Sequence, residues 1–313
     1  SAVTDMSYAF SKHRNEAMEF SENGNNLGSN FNADITNWDV SSVTDMKYMF
    51  AGFSEFNQNI SNWNTSAVKY MNHMFQDVTS FNQPINTDGS KWNTLNVENM
   101  EHMFENTTEF NADISGWDVS NVINMRQMFR NNSLVFGDEN FNHDISGWDV
   151  SNVTDMTQMF TNTDDFNIDI SGWDVSSVTN MYGMFANVTK FNQDISGWDV
   201  SNVTQMSQFL ACDNCGRSED HPNAASFNQD LSSWDVSNVT AASNMFLNRL
   251  FFNSDISSWD VSNLTIAANM FSGASSFNQD LSSWDVSNVT NMYGMFNRAS
   301  NFTSDLSMWD VSN

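Results

Sequence analysis

Aspartate is the residue whose type and spacing most readily suggest chemistry in this sequence, because it recurs at two fixed places. One Asp follows a Trp and another precedes an Ile or Leu, as at Asp199 and Asp194. If equivalent residues stack at the spacing of neighbouring strands, about 5 Å, each set becomes a line of negative charge. Such repulsion is offset by solvent and salt, by hydrogen bonds to turn amides, or by bound cations.

The two sets of Asp are expected to differ in role. The Asp before Ile is expected to accept a backbone N–H within its own turn. The Asp between Trp and Val is expected to face outward, which makes it the better cation ligand. Calcium takes roughly six to eight oxygen ligands, and one carboxylate per repeat supplies few of them. The sequence therefore predicts at most weak calcium binding and no other cofactor. The calcium candidates are Asp174, Asp199, Asp235, Asp260 and Asp285.

Cys212 and Cys215 are the only cysteines and stand in a C-x-x-C pair within an insertion. In a secreted chain this spacing favours a local disulfide. A zinc site would need four ligands, and only His221 offers an obvious third. A thioredoxin-type redox pair would need a βαβ unit, which the sequence does not indicate.

Asn-x-Ser/Thr sequences are numerous and make glycosylation a second candidate modification. An Asn-rich repeat also produces such sequences by composition alone. The favoured acceptors lie in the variable segment that follows Met-Phe: Asn106, Asn131, Asn187 and Asn301. A second set shares one register, directly after Trp-Asp-Val-Ser: Asn152, Asn202, Asn238, Asn263 and Asn288.

Enzyme activity is not expected. No Ser/His/Asp order, Gly-rich phosphate loop or metal motif appears in the sequence. The histidines are expected to share no register; they stand at His13, His73, His102, His143 and His221.

The elements that must position these residues come from one repeat. Eleven Trp recur every 25 residues, apart from three longer intervals of 29, 31 and 36 residues. A fixed period in this range predicts a solenoid, whose repeats contact only their neighbours. Stacking at strand spacing predicts a continuous aromatic column with Trp about 4.8 Å apart, in a rod roughly 50 Å long.

Within one repeat, the apolar residues predict both the core and the local structure. Trp-x-Val alternates, which predicts a very short strand, and Met-x-x-Met-Phe has the spacing of one helical turn. The fold class predicted is therefore an α/β solenoid of about 11 repeats, each with a short strand and a short helical turn. The expected core positions, in one repeat, are Phe191, Ile195, Trp198, Val200, Val203, Met206, Phe209 and Leu210.

The repeat F-N-x-D-[IL]-S-x-W-D-V-S-[NS]-V-T-x-M-x-x-M-F covers nearly the whole chain. It resembles the tandem repeat found in bacterial-type surface proteins and mycoplasma lipoproteins, which is related to BspA-like leucine-rich repeats. The resemblance implies a leucine-rich-repeat-like fold and an extracellular or cell-surface location, and it carries over no catalytic residues. Departures at Asn64, Asn93, Ala242 and Ala267 are expected to be structural variants.

The repeat also predicts how the chain is organised. Residues 1–30 are expected to form a partial first repeat and an irregular polar insertion. Residues 31–313 are expected to form the tandem array, with insertions near 87–91, 134–140 and 211–222. The formal net charge of −27 argues against nucleic acid and against anionic membrane surfaces as partners.

A chain that repeats one unit builds length and surface, so the first expectation is an extracellular structural rod. The first repeat lacks a half that the last repeat supplies. Two interpretations follow: the chain was trimmed from a longer protein that continues on both sides, or copies stack end to end into a filament. The alternative function is a surface adhesin that binds a protein or glycan on its concave face. Nine of eleven repeats carry Asp at the outward position, and that uniformity favours the structural function.

Overall fold

A computed structural model describes residues 2–10, 31–87, 91–132, 141–213 and 226–313, and the repeats lie within these ranges. The chain divides into a first unit, Ser1–Asn152, and a second unit, Val153–Asn313. The period of the Trp residues gave no sign of a division at this point. Most of the predicted 1–30 segment, and most of the three predicted insertions, lie outside the described residues.

Isolated parallel β-bridges join successive repeats in each unit, at the residue just before the first Met of the repeat or the Ala that replaces it. The bridges of the first unit run through Asp5, Asp45, Tyr70, Asn99 and Asn124. Those of the second unit run through Asp155, Asn180, Gln205, Ala241, Ile266 and Asn291.

The predicted α/β solenoid is wrong in its secondary structure. Across the described ranges the chain contains no helix and no strand longer than a single bridge. In the same ranges no helix is long and apolar enough to cross a membrane.

The predicted strand at Trp-x-Val is absent because the chain turns there. In the repeat of Trp198, the amide of Ser201 donates to Oδ1 of Asp199 at 3.0 Å. The amide of Val203 then donates to the carbonyl of Val200 at 2.9 Å. These two local bonds bend the backbone immediately after the Trp. The bridge forms instead at Gln205, once the turn is complete.

The predicted helical turn is replaced by a run of turns whose amides point alternately in two directions. The amides of Met206 and Gln208 donate to carbonyls of the next repeat, at 2.9 and 2.7 Å. The amide of the next residue, Phe209, donates within its own repeat to the carbonyl of Met206, at 3.1 Å. A helix needs every amide to bond inside the segment. It also needs negative φ throughout, whereas Gln208 has φ 60°.

The core consists of the apolar residues that the repeat predicted. In the repeat quoted above, every expected core residue from Phe191 to Leu210 is at most 3% exposed. Aromatic rings stack from repeat to repeat within each unit, which confirms the predicted column there. The separation is wider than predicted: Trp234 and Trp259 are parallel within 3°, with ring centroids 6.4 Å apart. That distance is typical of offset stacking.

Tryptophan also has a polar role in each unit. The indole N–H of Trp198 donates to the carbonyl of Ile170, one repeat earlier, at 3.1 Å. In the first unit Trp117 donates to Ile85 in the same way, at 2.8 Å. A buried carbonyl without a partner costs about 1–3 kcal/mol, so Trp fills the core and satisfies the neighbouring backbone together. Leu or Phe at this position would fill the core but could not donate a hydrogen bond to the neighbouring carbonyl.

Arg249 is an exception inside the core of the second unit, because it is a fully buried cation. Its guanidinium donates to backbone carbonyls of two earlier repeats, those of Phe185, Val188 and Leu210. Burial lowers the pKa of Arg249 to about 9. The side chain joins repeats on either side of the segment 214–225.

Candidate functional site

The predicted calcium candidates are exposed and spaced one per repeat. Each accepts the amide of the Ser two residues later through Oδ1, at 3.0 Å in all five: Asp174, Asp199, Asp235, Asp260 and Asp285. Hydrogen bonds from these Ser residues lower the pKa of Asp174, Asp235 and Asp285. The Asp before Ile makes the same type of turn, as predicted; Ser196 donates to Asp194 at 2.9 Å.

The structure does not gather the calcium candidates into one site. Within the described ranges, one group of three His, Cys, Asp or Glu residues brings its ligand atoms within 4.8 Å of one another. That group is His73, Glu101 and His102, all in the first unit. Calcium binding on the second unit stays a prediction.

Cys212 is fully buried in the second unit. Cys215 and His221 lie outside the described residues, so the predicted disulfide and the weaker zinc alternative both stay predictions.

The glycosylation candidates differ in their accessibility. Of the four favoured acceptors, Asn131 and Asn187 are buried, Asn106 is half-buried and Asn301 is exposed. The second set is exposed throughout, but each side-chain amide donates to a Ser carbonyl one repeat earlier; Asn202 bonds Ser176 at 2.8 Å. The same bond is made by Asn152, Asn238, Asn263 and Asn288. Since an amide nitrogen carries two hydrogens, this ladder uses only one of them.

Four rings of the first unit stack at one position of the repeat, and we call them the ring column: Tyr8, Tyr48, His73 and His102. Their centroids are 4.6 Å apart for the two Tyr, 4.1 Å for Tyr48 and His73, and 4.4 Å for the two His. All four residues have positive φ, between 54° and 60°. Each is the third residue of a turn that begins at a core Met, and type II turns require positive φ there.

Carboxylates and amides surround the His end of the ring column. Glu105 is 4% exposed at its side chain, and its Oε2 lies 2.6 Å from Nδ1 of His102. The other oxygen of Glu105 accepts from Arg130 Nη1 at 3.0 Å. Glu101 Oε1 lies 3.6 Å from Nε2 of His102. We call these residues, His73, Glu101, His102 and Glu105, the His–Glu cluster.

The pKa values of the two imidazoles in the His–Glu cluster are shifted in opposite directions. Burial lowers the pKa of His73 to about 4, and the charge of His102 acts in the same direction. Burial also opposes protonation of His102, but contacts with Glu101 and Glu105 outweigh it and raise the pKa of His102. The pKa of Glu101 is lowered by His102. The pKa values of the two imidazoles are therefore shifted in opposite directions, downward for His73 and upward for His102, beside two carboxylates.

Sequence reasoning missed this cluster. The expectation that the histidines share no register is wrong for His73 and His102, since each stands two residues after the first Met of its repeat. The signal was present, but the position looked variable because it holds Tyr, His, Gln, Gly and Asn in different repeats. Their shared property is positive φ, which is a backbone property. His13 and His221 lie outside the described residues.

Comparison with known proteins identifies the family of this chain. The family described as "Mycoplasma protein of unknown function, DUF285" matches three times, over residues 4–137, 131–218 and 216–313. The chain belongs to this family. The three matches cover almost every residue, so they span both the His–Glu cluster and the exposed Asp and Asn residues. No curated protein matches the chain.

Among solved structures, the functional domain of InlJ from Listeria monocytogenes, which includes a cysteine ladder, is weakly similar to this chain. Identity is 10% and the TM-score is 0.15. The similarity covers 82% of this chain and 62% of that structure. At this TM-score the likeness carries no argument about fold or function.

Proposed function

We propose that this chain is a cell-surface structural protein, in which stacked repeats of the 25-residue surface-protein type form a rigid, rod-like support. The observation that carries the proposal is the use of exposed polar side chains. Exposed Asn and Thr side chains make hydrogen bonds between repeats, and exposed Asp side chains make hydrogen bonds within their own turn, in the same pattern from one repeat to the next. Membership of a mycoplasma-type family and the net charge of −27 support a surface location.

Two ladders illustrate this use of exposed groups. In the second unit the amide of Asn278 donates to Oδ1 of Asn253 at 2.9 Å, and Asn253 donates likewise to Asn228 at 2.7 Å. On another line of the surface, Thr265 Oγ1 donates to the carbonyl of Thr240 at 2.9 Å. Groups bonded in this way strengthen the stack and leave little varied chemistry for a ligand.

Force spectroscopy on the full chain tests the structural role. A repeat of 25 residues should add about 80–90 Å when it is extended. We expect stepwise lengthening in multiples of this increment. Lengthening with no resisting force and no steps would contradict the role.

Labelling of intact cells tests the location separately. A membrane-impermeant amine reagent should modify the chain in whole cells that produce it. Modification only after lysis would contradict a surface location and would leave the mechanical result unaffected.

A surface adhesin is the second candidate, and exposed Tyr70 favours it. Lys47 Nζ lies 5.0 Å from the ring centroid of Tyr70. Aromatic and cationic side chains together are typical of binding surfaces. If the chain is an adhesin, Tyr70→Ser should abolish adhesion of the purified protein to host cells. Adhesion equal to that of the unaltered chain would contradict the adhesin function and leave the structural role as the remaining candidate.

Self-association and glycosylation stay predictions. End-to-end assembly predicts a mass that rises with concentration in light scattering; a constant monomer mass would contradict it. Glycosylation predicts an intact mass above that of the bare 35.4 kDa polypeptide when the source cell can add glycans. Exposed Asn301 and the exposed second set are the acceptors that the accessibility favours.

A further inference from the structure

The His–Glu cluster brings two imidazoles and one carboxylate together in a way that the repeat itself does not require. At the equivalent place other repeats carry Gln127, Gln158 and Gln208, with the same positive φ. The backbone is therefore satisfied without His. We propose that His73, Glu101 and His102 bind one divalent transition-metal ion of the zinc type. This inference is independent of the structural role proposed above.

Hydrogen bonds orient both imidazoles for this task. Nδ1 of His73 lies 2.9 Å from Oε1 of Gln76, and Nδ1 of His102 lies 2.6 Å from Oε2 of Glu105. Both partners are acceptors, so each Nδ1 carries the hydrogen. Nε2 of each ring is then the atom left to bind a metal. A carboxylate or amide behind the imidazole is the usual second partner of a metal-bound His.

The outer partners are themselves held in place. Gln76 Nε2 donates to the same Glu105 oxygen, at 2.8 Å. Arg130 holds the second oxygen of Glu105, at 3.0 Å. One buried carboxylate thus connects the groups behind both imidazoles, and it fixes the two rings relative to each other.

The distances fit a metal after a small closure. Ligands around a tetrahedral zinc lie about 3.3 Å from one another, given bonds of about 2.0 Å. Nε2 of His102 and Oε1 of Glu101 are already 3.6 Å apart, and His73, Glu101 and His102 each offer one ligand atom within 4.8 Å of the other two. The two rings are stacked with 13° between their planes. Tilting them toward one another brings the second Nε2 into range.

The ligand set selects the class of metal. Imidazole nitrogens favour zinc, cobalt, nickel and copper, whereas calcium and magnesium require oxygen ligands. Three protein ligands leave at least one position for water, which is the arrangement of an open zinc site. The site is also accessible, since the side chains of His102 and Glu101 are 14% and 26% exposed.

A guanidinium and a side-chain amide already near Glu101 compete with the metal. Arg126 Nε lies 3.8 Å from Oε1 of Glu101, and Asn124 donates to Oε2 at 3.3 Å. The side chain of Arg126 is 45% exposed, so it can turn into solvent when an ion binds. Arg126→Gln should therefore strengthen metal binding.

Cobalt(II) titration of the full chain provides the test, because cobalt reports its own ligands through visible absorption. We expect one equivalent to bind with the absorption of a nitrogen-ligated, low-coordinate ion, and excess zinc to displace it. Excess calcium should not. His73→Gln and His102→Gln should each weaken binding at least tenfold, while Arg126→Gln should tighten it.

Matched controls separate ligand loss from unfolding. Gln is native at the same position of other repeats, so both His variants should retain the thermal unfolding midpoint of the unaltered protein to within a few degrees. His143→Gln, in the same unit but outside the cluster, should bind as the unaltered protein does. The proposal is overturned if the unaltered chain binds no stoichiometric cobalt, if binding survives in both folded His variants, or if calcium competes equally.

Discussion

The two units carry the same backbone pattern and differ most at a single position of the repeat, the residue two places after the first core Met. In the first unit this position holds the ring column of Tyr and His, followed by Gln127, and Glu and Arg side chains surround the His end. In the second unit it holds Gln158, Gly183, Gln208, Asn244, Asn269 and Gly294, all with positive φ. One frame therefore accepts either chemically active or inert side chains.

The difference teaches where this type of repeat can vary. Core residues are fixed by packing, exposed Asn and Thr residues by bonds between repeats, and exposed Asp residues by bonds within their own turn. The positive-φ position is half-buried and is fixed only by its backbone conformation. Substitution there adds chemistry without disturbing the stack.

Removing a core Trp should have the largest effect, and an equal one in both units. Trp117→Ala and Trp198→Ala each empty a site that is 3% exposed and remove a bond to a buried carbonyl. We expect a loss of about 3–5 kcal/mol in the free energy of unfolding, measured in urea. Trp38→Ala is the control, since Trp38 is 40% exposed and should cost much less. Unequal losses at Trp117 and Trp198 would show that the two frames are not equivalent.

Arg249 should be the most sensitive charged residue of the second unit. Arg249→Ala removes the guanidinium from the carbonyls of Phe185, Val188 and Leu210, of which that of Phe185 keeps the amide of Val188 as a donor, and it opens a cavity. We expect a loss of about 2–4 kcal/mol, from unsatisfied polar groups and lost packing.

The control for this prediction is Arg298→Ala, because Arg298 is exposed. Its substitution should change stability by less than about 0.5 kcal/mol. An Arg249 variant as stable as this control would mean that the buried guanidinium contributes nothing net.

The His–Glu cluster should give the first unit a response to acid. The pKa of His73 is about 4 in the folded chain against 6.5 ordinarily, so protons bind the unfolded chain first. The contribution of His73 to the free energy of unfolding is complete above pH 6.5 and is lost as the pH falls toward 4. The raised pKa of His102 acts oppositely: that contribution is present below pH 6.5 and is lost as the pH rises through the raised value.

Thermal unfolding between pH 7 and pH 4, a range taken from these pKa values, measures this response. His73→Gln should flatten the decline in midpoint that accompanies acidification. Glu101, Glu105 and His102 all act on His73, so a decline that persists in His73→Gln would assign it to those groups instead.

Neutralising one exposed Asp should have the smallest effect. Asp235→Asn keeps an oxygen to accept the amide of Ser237, as Asn64 does for Ser66 in the first unit at 3.1 Å. We expect less than about 0.5 kcal/mol of change at neutral pH. A larger stabilisation in low salt would show that repulsion along the Asp line is significant, and would sharpen the contrast between the two units.

Much of the core could be predicted from sequence, because periodic Phe, Trp, Val and Met residues have few alternatives to burial. The secondary structure could not. Met-x-x-Met-Phe has helical spacing, but residues such as His73 and Gln208 take positive φ, and their amides bond the next repeat. The spacing of apolar residues indicates which side chains point inward, but it does not indicate the direction of the backbone amides between them.

The candidate site was missed for a related reason. His73 and His102 lie 29 residues apart, so the insertion near 87–91 disguised their shared register. Glu105 gave no signal at all, since its role depends on burial beside His102.

Hydrogen exchange at the indole N–H groups tests most directly whether each repeat is bonded to the one before it. Selective ¹⁵N labelling of the eleven Trp gives one signal for each residue. We predict slow exchange for Trp117, Trp148, Trp198, Trp234, Trp259 and Trp284, whose indoles are buried and donate to the preceding repeat. Exposed Trp38 should exchange rapidly. Equally rapid exchange at all of these positions would contradict the account.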